Sequence, residues 1–578
     1  MFEITRDDIA ALNDEDLRTL IGLLCEAELR RANLPVSAVT WGGNQTAKDG
    51  GLDVRVSLPD RTVVAGFIPR AATGFQVKKP DMPPSEIAKE MRQGGMLRPV
   101  IEELAAASGA YIIVSSSGPT ADSALNNRRD AMPAAVKYSA NAAKLHLDFY
   151  DRNRLASWVR NHAGLIPWVR SRIGKSVPGW RSYGGWSLVP ARADKAYLLD
   201  GKARIRTGSK DEGDGFSAVD GINRMRDALR KPGQVVRLVG LSGVGKTRLV
   251  EALFDPTIGA NALDPSLAIY TDIADGPDPQ PRGLASDLVA SGTRAILVID
   301  NCPPETHKQL SEVARASGAT ISVITVEYDI REDQPEGTDV FSLETSSLEL
   351  IEKLVRARFA DVSQLDARTI AEFSGGNARI ALALASTVKK SETISGLNNA
   401  ELFTRLFQQR HQHDAGLLQI AEVCSLVYSF QGELLTGDEA ELPVLGGLIG
   451  KSAQDVFTAA AELKRRDLLQ QRGPWRAVLP HAIANGLAAR ALQNIPHGVI
   501  EAALVFGSER MLRSFSRRLG YLSDSKEAQA IVRGWLEPGG MLAEILTLTE
   551  LGRAIFSECS TCASRGDAWR VGSGLCQC

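Results

Sequence analysis

Residues 235–253 read Val-Val-Arg-Leu-Val-Gly-Leu-Ser-Gly-Val-Gly-Lys-Thr-Arg-Leu-Val-Glu-Ala-Leu. The segment opens as a short apolar run of strand length and closes with helix-forming residues. Between them, Gly240 to Thr247 fits the pattern GxxxxGK[ST]. Glycines there let the backbone curl until several N–H groups face one phosphate chain at a helix N-terminus. The phosphate-facing candidates are Gly240, Ser242, Gly243, Val244, Gly245, Lys246, Thr247 and Arg248. Lys246 is expected at the β- and γ-phosphates, and the Thr247 hydroxyl at Mg²⁺. Chance produces the pattern in about 0.02 chains of this size and glycine content, so the segment reads as a nucleotide site for ATP with Mg²⁺. Some fifty residues on, Asp300 ends the apolar strand Ala295–Ile299 and is expected to support the Mg²⁺. Asn301 follows it where a water-activating acid is usual, and Glu305 lies beyond a Pro303-Pro304 turn. Slow hydrolysis, a switch rather than a motor, is the consequence.

Working outward, strand and helix patterns alternate from about 216 to 345, as in a parallel sheet with crossovers. Residues 346–410 read as a helical lid. Residues 411–495 combine helices with a ribbon at Leu468–Val478, turning at Arg472-Gly473-Pro474, which is a winged-helix pattern. Residues 496–578 form a short helical C-terminal region, and 176–215, rich in Gly, Ser, Pro and charge, a linker. Residues 1–175 form a further α/β unit. The chain has 578 residues and a net charge of −2, which excludes a general polyanion binder and leaves nucleic-acid contact to local basic surfaces. No apolar run has the roughly 18 residues a membrane helix needs, and no leader pattern opens the chain, so a cytoplasmic protein without membrane contact is expected. Cys559, Cys562, Cys576 and Cys578 crowd the end in a spacing unusual for zinc; an unstructured or truncated tail is expected instead.

Residues 216–490 resemble the STAND class of P-loop NTPases, signalling relatives of AAA+ ATPases. The residues carrying the resemblance are 240–247, Ile296–Asp300, Ser374–Ala383 and Leu479–Ala484. It implies a nucleotide that locks the core against the winged helix, with His481 contacting its phosphates. Arg379, beside Gly375-Gly376-Asn377 at a helix start, is a candidate for the γ-phosphate. Gly376-Asn-Ala-Arg379 departs from the class's usual Gly-x-Pro and is closer to an AAA+ sensor.

In the N-terminal unit, Asp53 lies in the strand Leu52–Val56 and shares a face with Arg55, and Gln76 and Lys78 share one face of the strand Gly74–Lys78. Pairing those strands brings a carboxylate, an amide oxygen and an ammonium to one point. Asp53, Gln76 and the Val77 carbonyl suit Mg²⁺, and Lys78 suits the orientation of water. Glu28 continues the apolar helical stripe Leu17, Ile21, Leu24 and is a candidate further acid, whose alternative is to emerge into water. About residues 15–165 resemble Mrr-like restriction endonucleases of the PD-(D/E)xK class, with Asp53, then Gln76-x-Lys78, then a closing Asp151–Leu155 segment. The insertion Pro59–Ala72 reads as a DNA-facing hairpin or a loop. Residues 152–190 carry seven Arg and Lys and no acid, interleaved with aromatics; the arginines point to DNA and the tryptophans to the core.

The expectation is therefore a multidomain α/β and α protein: a restriction-endonuclease-like domain, a P-loop NTPase with a parallel sheet, a helical lid, a winged helix and a short helical end. Its expected function is Mg²⁺-dependent cleavage of double-stranded DNA, gated by ATP or ADP and by homo-oligomerisation in response to a trigger protein. The pairing resembles antiviral STAND proteins of prokaryotic defence. The alternatives are an ATP-dependent restriction enzyme moving on DNA and a non-catalytic STAND regulator that only binds DNA.

Overall fold

The structure, a computed structural model, describes residues 2–41, 52–187, 197, 201, 204–207, 215–240, 243–327, 338–389, 392–397, 401–402, 405–406 and 415–542. Within those spans 61, 63, 65, 467, 473, 479, 480, 506 and 539 are excepted. Ser242 and the four C-terminal cysteines fall outside the described residues, as does the His481 side chain.

The N-terminal unit opens with helices α1 (Arg6–Ala11) and α2 (Asp14–Arg31). Asn13 caps α2 by accepting from the Asp16 N–H, and the helix carries acids in its first turn and Arg30 and Arg31 in its last, both matched to its dipole. Strands β1 (Val39–Trp41), β2 (Val54–Ser57) and β3 (Ala72–Lys78) follow. Next come helix α3 (Pro84–Glu90), a small ribbon of β4 (Arg92–Gln93) and β5 (Met96–Leu97), helix α4 (Pro99–Ala106), β6 (Ala110–Ser115), α5 (Asp122–Val136), β7 (His146–Tyr150) and α6 (Arg152–Arg160). The sheet order is β1-β2-β3-β6-β7, antiparallel across the first three and parallel across the last three. Its alternation sorts the two cores. Phe75, Val77, Ile112 and Val114 meet Leu17, Ile21 and Leu24 of α2 and Trp158 of α6, while Tyr111 and Ile113 meet Ile87 of α3 and Leu104 of α4. Each buried aliphatic or aromatic side chain contributes about 1.5–3 kcal/mol.

The Pro59–Ala72 insertion lies on the core: Val64 and Ile68 are buried, and the Phe67 ring stacks on Trp158 at 4.7 Å. It does not stand out as a hairpin. Three of the four tryptophans, Trp158, Trp180 and Trp186, are buried, while Trp168 is half-buried with the Arg172 guanidinium 5.3 Å from its ring centroid. The basic segment is less bare than its local composition suggests. Arg152 faces Asp7, Arg154 Asp148, Arg172 Asp16, Lys175 Asp8 and Arg181 Asp275. Four of the seven cations thus face acids distant in sequence, and Arg154 an acid six residues before it.

After α7 (Ile166–Arg172) the chain passes into a second sheet. Residues 176–215, expected as a linker, supply β8 (Trp180–Ser182), a short α8 (Tyr183–Ser187) and β9 (Arg204–Thr207), and both strands are paired into that sheet. The correction has a simple cause: strands of three and four residues, at or next to the sheet's edge, carry too little periodicity to show through Gly, Ser and Pro. Then come β10 (Phe216–Ser217), α9 (Ala218–Arg230), β11 (Val235–Gly240), α10 (Lys246–Ala252), β12 (Ala268–Asp272), α11 (Pro281–Ala290), β13 (Ile296–Asp300), α12 (Pro304–Ala314), β14 (Ser322–Val326) and β15 (Asp339–Leu343). The sheet order is β10-β9-β15-β11-β14-β13-β12-β8. The five central strands are parallel and the edges antiparallel. One strand, β14, lies between the strand feeding the glycine-rich turn and the strand ending in Asp300. Arg226 of α9, fully buried, donates to the carbonyls of Ala252, Leu253, Asp255, Ile258 and Ala260 and so fixes the far end of α10.

Helices α13 (Leu348–Arg358), α14 (Gln364–Ser374) and α15 (Ala378–Ala385) follow, capped by Ser347, Ser363 and Asn377. Residues 415–494 hold four helices and a three-stranded antiparallel sheet whose Leu469–Arg472 and Trp475–Val478 strands form the expected ribbon. Helices Glu509–Gly520 and Lys526–Leu536 pack on the same core. Among the described residues, no helix is long and apolar enough to cross a membrane.

Candidate functional sites

The glycine-rich turn joins β11 to α10. Gly243 and Gly245 hold φ of +81° and +103°, a region costly for side-chain-bearing residues, and Gly245 caps α10 in the left-handed conformation. Lys246 is buried, its ammonium donating to the Gly240 carbonyl at 2.7 Å across the turn. The Thr247 hydroxyl donates to Asp300 Oδ2 at 2.9 Å, and the Tyr270 hydroxyl reaches the same oxygen at 3.2 Å. Asp300 is buried, and that burial raises its carboxyl above the usual range, opposed by the Thr247 bond.

Asn301 sits at φ +52° and donates from its amide to Asp272 Oδ2 at 2.7 Å. Asp272 pairs with Asp300 across neighbouring strand ends, so two carboxylates share this edge. The sequence reading missed Asp272; its place at the end of an apolar strand beside the Asp300 strand was the available signal. Glu305 is exposed and accepts from Gln309 of its own helix.

The start of α15 lies directly over the turn. A Cβ at Gly243 would stand 2.5 Å from Asn377 Oδ1 and 2.8 Å from the Arg379 Cβ. Arg379 thus starts its side chain beside the phosphate turn. Arg248 of α10 lies with its guanidinium 3.7 Å from the Tyr197 ring centroid. His481 begins the helix His481–Asn494 directly after the ribbon.

The second candidate site lies at the end of the N-terminal sheet. Asp53, just before β2, donates its backbone N–H to the Phe75 carbonyl, and its Oδ2 accepts from the Val77 N–H at 2.7 Å. Its Oδ1 pairs with Arg18 Nε of α2 at 3.0 Å. Burial raises the Asp53 carboxyl above its ordinary value, opposed by the Val77 bond and then by the charges of Arg18 and Lys78. Gln76 is buried, and its Oε1 has no hydrogen-bond partner among the described residues. The Lys78 ammonium lies 3.1 Å from Glu90 Oε2, whose other oxygen is 3.3 Å from Arg98. Glu90, at the end of α3, was not singled out from sequence, because nothing local distinguishes it from a solvated helix-end acid.

Glu28 is committed elsewhere, which corrects its assignment as a further acid at this site. It is buried, as its stripe predicts, but its Oε1 accepts from Trp158 Nε1 at 2.9 Å and lies 3.2 Å from His162 Nε2. The reason is the sheet's alternation. Helix α2 covers the Phe75 and Val77 face, whereas Gln76 and Lys78 point to the face covered by α3 and α4. His162 also lies 3.4 Å from the Ser266 hydroxyl of the second sheet's unit, so Glu28 belongs to a contact between the two units.

The donors fit a hard divalent cation: one carboxylate and an unsatisfied amide oxygen at one strand end. No group of three or more His, Cys, Asp or Glu side chains that could hold a metal ion occurs among the described residues.

Comparison with protein-family models gives no match, and neither does comparison with curated proteins. Solved structures do give matches. The chain is similar to the Holliday junction branch migration motor RuvB of Thermotoga maritima, with 19% identity over 46% of this chain and 92% of that one and a TM-score of 0.26. It is similar to a Walker-type ATPase of Pyrococcus abyssi, with 11% identity over 49% and 98% and a TM-score of 0.27. It is also similar to a STAND protein with a tetratricopeptide-repeat sensor from Pyrococcus horikoshii, with 12% identity over 63% and 60% and a TM-score of 0.22. The site itself defines the class: a parallel sheet, a glycine-rich turn, a buried lysine and a Thr247–Asp300 bond make a P-loop NTPase-like core.

Proposed function

We propose that this chain is a Mg²⁺-dependent DNA endonuclease whose cutting is gated by ATP at the P-loop, acting as a STAND-type switch in defence against foreign DNA. The observation that carries the nuclease half is the meeting of Asp53, the unsatisfied Gln76 amide oxygen and Lys78 at one end of a mixed sheet. Asp53, Gln76 and the Val77 carbonyl would hold the cation there, and Thr247 with Asp300 would hold the one bound with ATP. The cation supplies Lewis acidity and neutralises charge on the scissile phosphate. The chain's own groups do the rest. The Val77 N–H fixes the Asp53 carboxylate, and Glu90 holds the Lys78 ammonium at the end of β3, where it orients water and stabilises developing negative charge.

At the P-loop, backbone N–H groups receive phosphate oxygens. Lys246 exchanges its intraturn bond to Gly240 for the phosphates, and Arg379 closes from the lid. Asn301 contributes an amide rather than a base, which suits a switch over a motor. Nucleotide-driven self-association would then bring several nuclease units onto one duplex.

The test is plasmid cleavage by the full chain with Mg²⁺ and ATP, beside phage-challenged cells. Lys78→Ala is expected to abolish cutting, and Lys246→Ala to abolish nucleotide binding and protection. Undiminished cutting by Lys78→Ala refutes the nuclease assignment. Full protection by Lys246→Ala refutes the gating.

A further inference from the structure

Two side chains on one face of the N-terminal sheet carry polar ends without a hydrogen-bond partner among the described residues. Gln76 Oε1 is one. The other is the hydroxyl of Tyr111, a fully buried residue whose oxygen has no hydrogen-bond partner among the described residues. An unsatisfied buried polar group costs about 1–3 kcal/mol, and phenylalanine would fill the same space without that cost. The hydroxyl therefore calls for an account beyond packing.

The register brings the two together. Tyr111 pairs with Gly74 in the parallel β3–β6 ladder, and Gln76 lies two residues further along β3. Ladder partners share a face, and diagonal neighbours stand about 7–8 Å apart, within reach of an aromatic side chain. Burial raises the phenol's titration, and Glu90, Arg98 and Asp53 are the charges that act on it.

We propose that Tyr111 is a positioning residue of the cation site, its phenolic O–H holding a water molecule against Gln76 Oε1 and the Asp53 carboxylate so that the ion binds with its hydration fixed. Such outer hydrogen bonds typically govern 10- to 100-fold of metal affinity. The inference rests on the reading of Asp53 and Gln76 as a divalent-cation site, and its test separates the two.

The probe is Mn²⁺, titrated into the nucleotide-free full chain and followed by the electron paramagnetic resonance of the free ion, with melting temperature measured in its absence. Tyr111→Phe is expected to weaken the Mn²⁺ midpoint about tenfold without lowering the metal-free melting temperature. An unchanged midpoint overturns the inference, and so does a weakened midpoint with a lowered melting temperature, which would make the hydroxyl a packing group. Asp53→Asn is the control for the site itself. If it titrates as the wild type does, or if the wild type takes up no Mn²⁺, the reading of the site falls rather than the role of Tyr111 within it.

Discussion

Adding one methyl group at Gly243 is expected to weaken nucleotide binding about 30-fold, a figure that follows from two costs of about 1 kcal/mol each. The first is backbone: at φ +81° an alanine pays the penalty of the left-handed region, about 1 kcal/mol. The second is the lid. The new Cβ would lie 2.5 Å from Asn377 Oδ1, the oxygen that caps α15 by accepting from the Arg379 and Ile380 N–H groups at 3.1 and 3.2 Å. Displacing that cap costs about 1 kcal/mol. Both costs fall on the arrangement in which lid and turn touch, and apparent affinity scales with the population of that arrangement. Titration of a fluorescent ATP analogue reads the loss directly. Asn377→Gly removes the obstructing oxygen for a few tenths of a kcal/mol. In the double variant it should recover part of the lid's share, the 2.8 Å approach to the Arg379 Cβ remaining, and leave a defect between about 10- and 30-fold. Binding by Gly243→Ala within twofold of wild type, or a double variant no better than the single one, refutes the claim that lid and turn share this contact in the nucleotide-binding form.

Asp53 gives a pH dependence. Its folded-state value is raised, so the folded chain holds that proton more tightly than the unfolded one. Its contribution to stability is thus fully present below the unfolded value and lost as pH rises through the folded value. Asp53→Asn is therefore expected to melt no lower than wild type at neutral pH, with the difference shrinking in acid, while cation uptake is lost; a clear drop at neutral pH refutes this. Cleavage by the wild type should likewise fade on acidification at a higher pH than an ordinary exposed aspartate would give. Glu28→Leu should destabilise the protein by about 2–3 kcal/mol, because a buried indole N–H and an imidazole lose their acceptor. Glu28→Gln should restore most of that, and both should keep wild-type Mn²⁺ uptake; loss of uptake in Glu28→Gln would return Glu28 to the cation site.

Much of this architecture is visible in the amino-acid order because its strong signals are local. The turn from Gly240 to Thr247 states its own chemistry, and apolar runs such as Ile296–Ile299 and Tyr111–Val114 mark central strands by composition alone. Gln76 and Lys78 could be placed on one face by alternation. What was not visible depends on which face meets which helix. Glu28 points inward as its stripe requires, yet inward from α2 is the wrong side of the sheet for Gln76. Glu90, Asp272 and Tyr111 acquire meaning only through pairing with residues twelve or more positions away. The paired cations between Arg152 and Arg181 show the same limit, since their partners Asp7, Asp8, Asp16 and Asp275 belong to other segments.

The strand Trp180–Ser182 begins within ten residues of α7 and is stitched to β12, and Gly164 abuts the Ser266 and Ala268 carbonyls so closely that a Cβ there would lie 2.6–2.7 Å from each. The two halves of the molecule meet backbone to backbone, with no slack tether at that junction. In a closed ring or a helical filament of such subunits, the symmetry operator relating neighbouring cores would also relate the proposed cation sites. The stagger and periodicity of the breaks left in a long duplex would then be a ruler for the assembly, read from a sequencing gel.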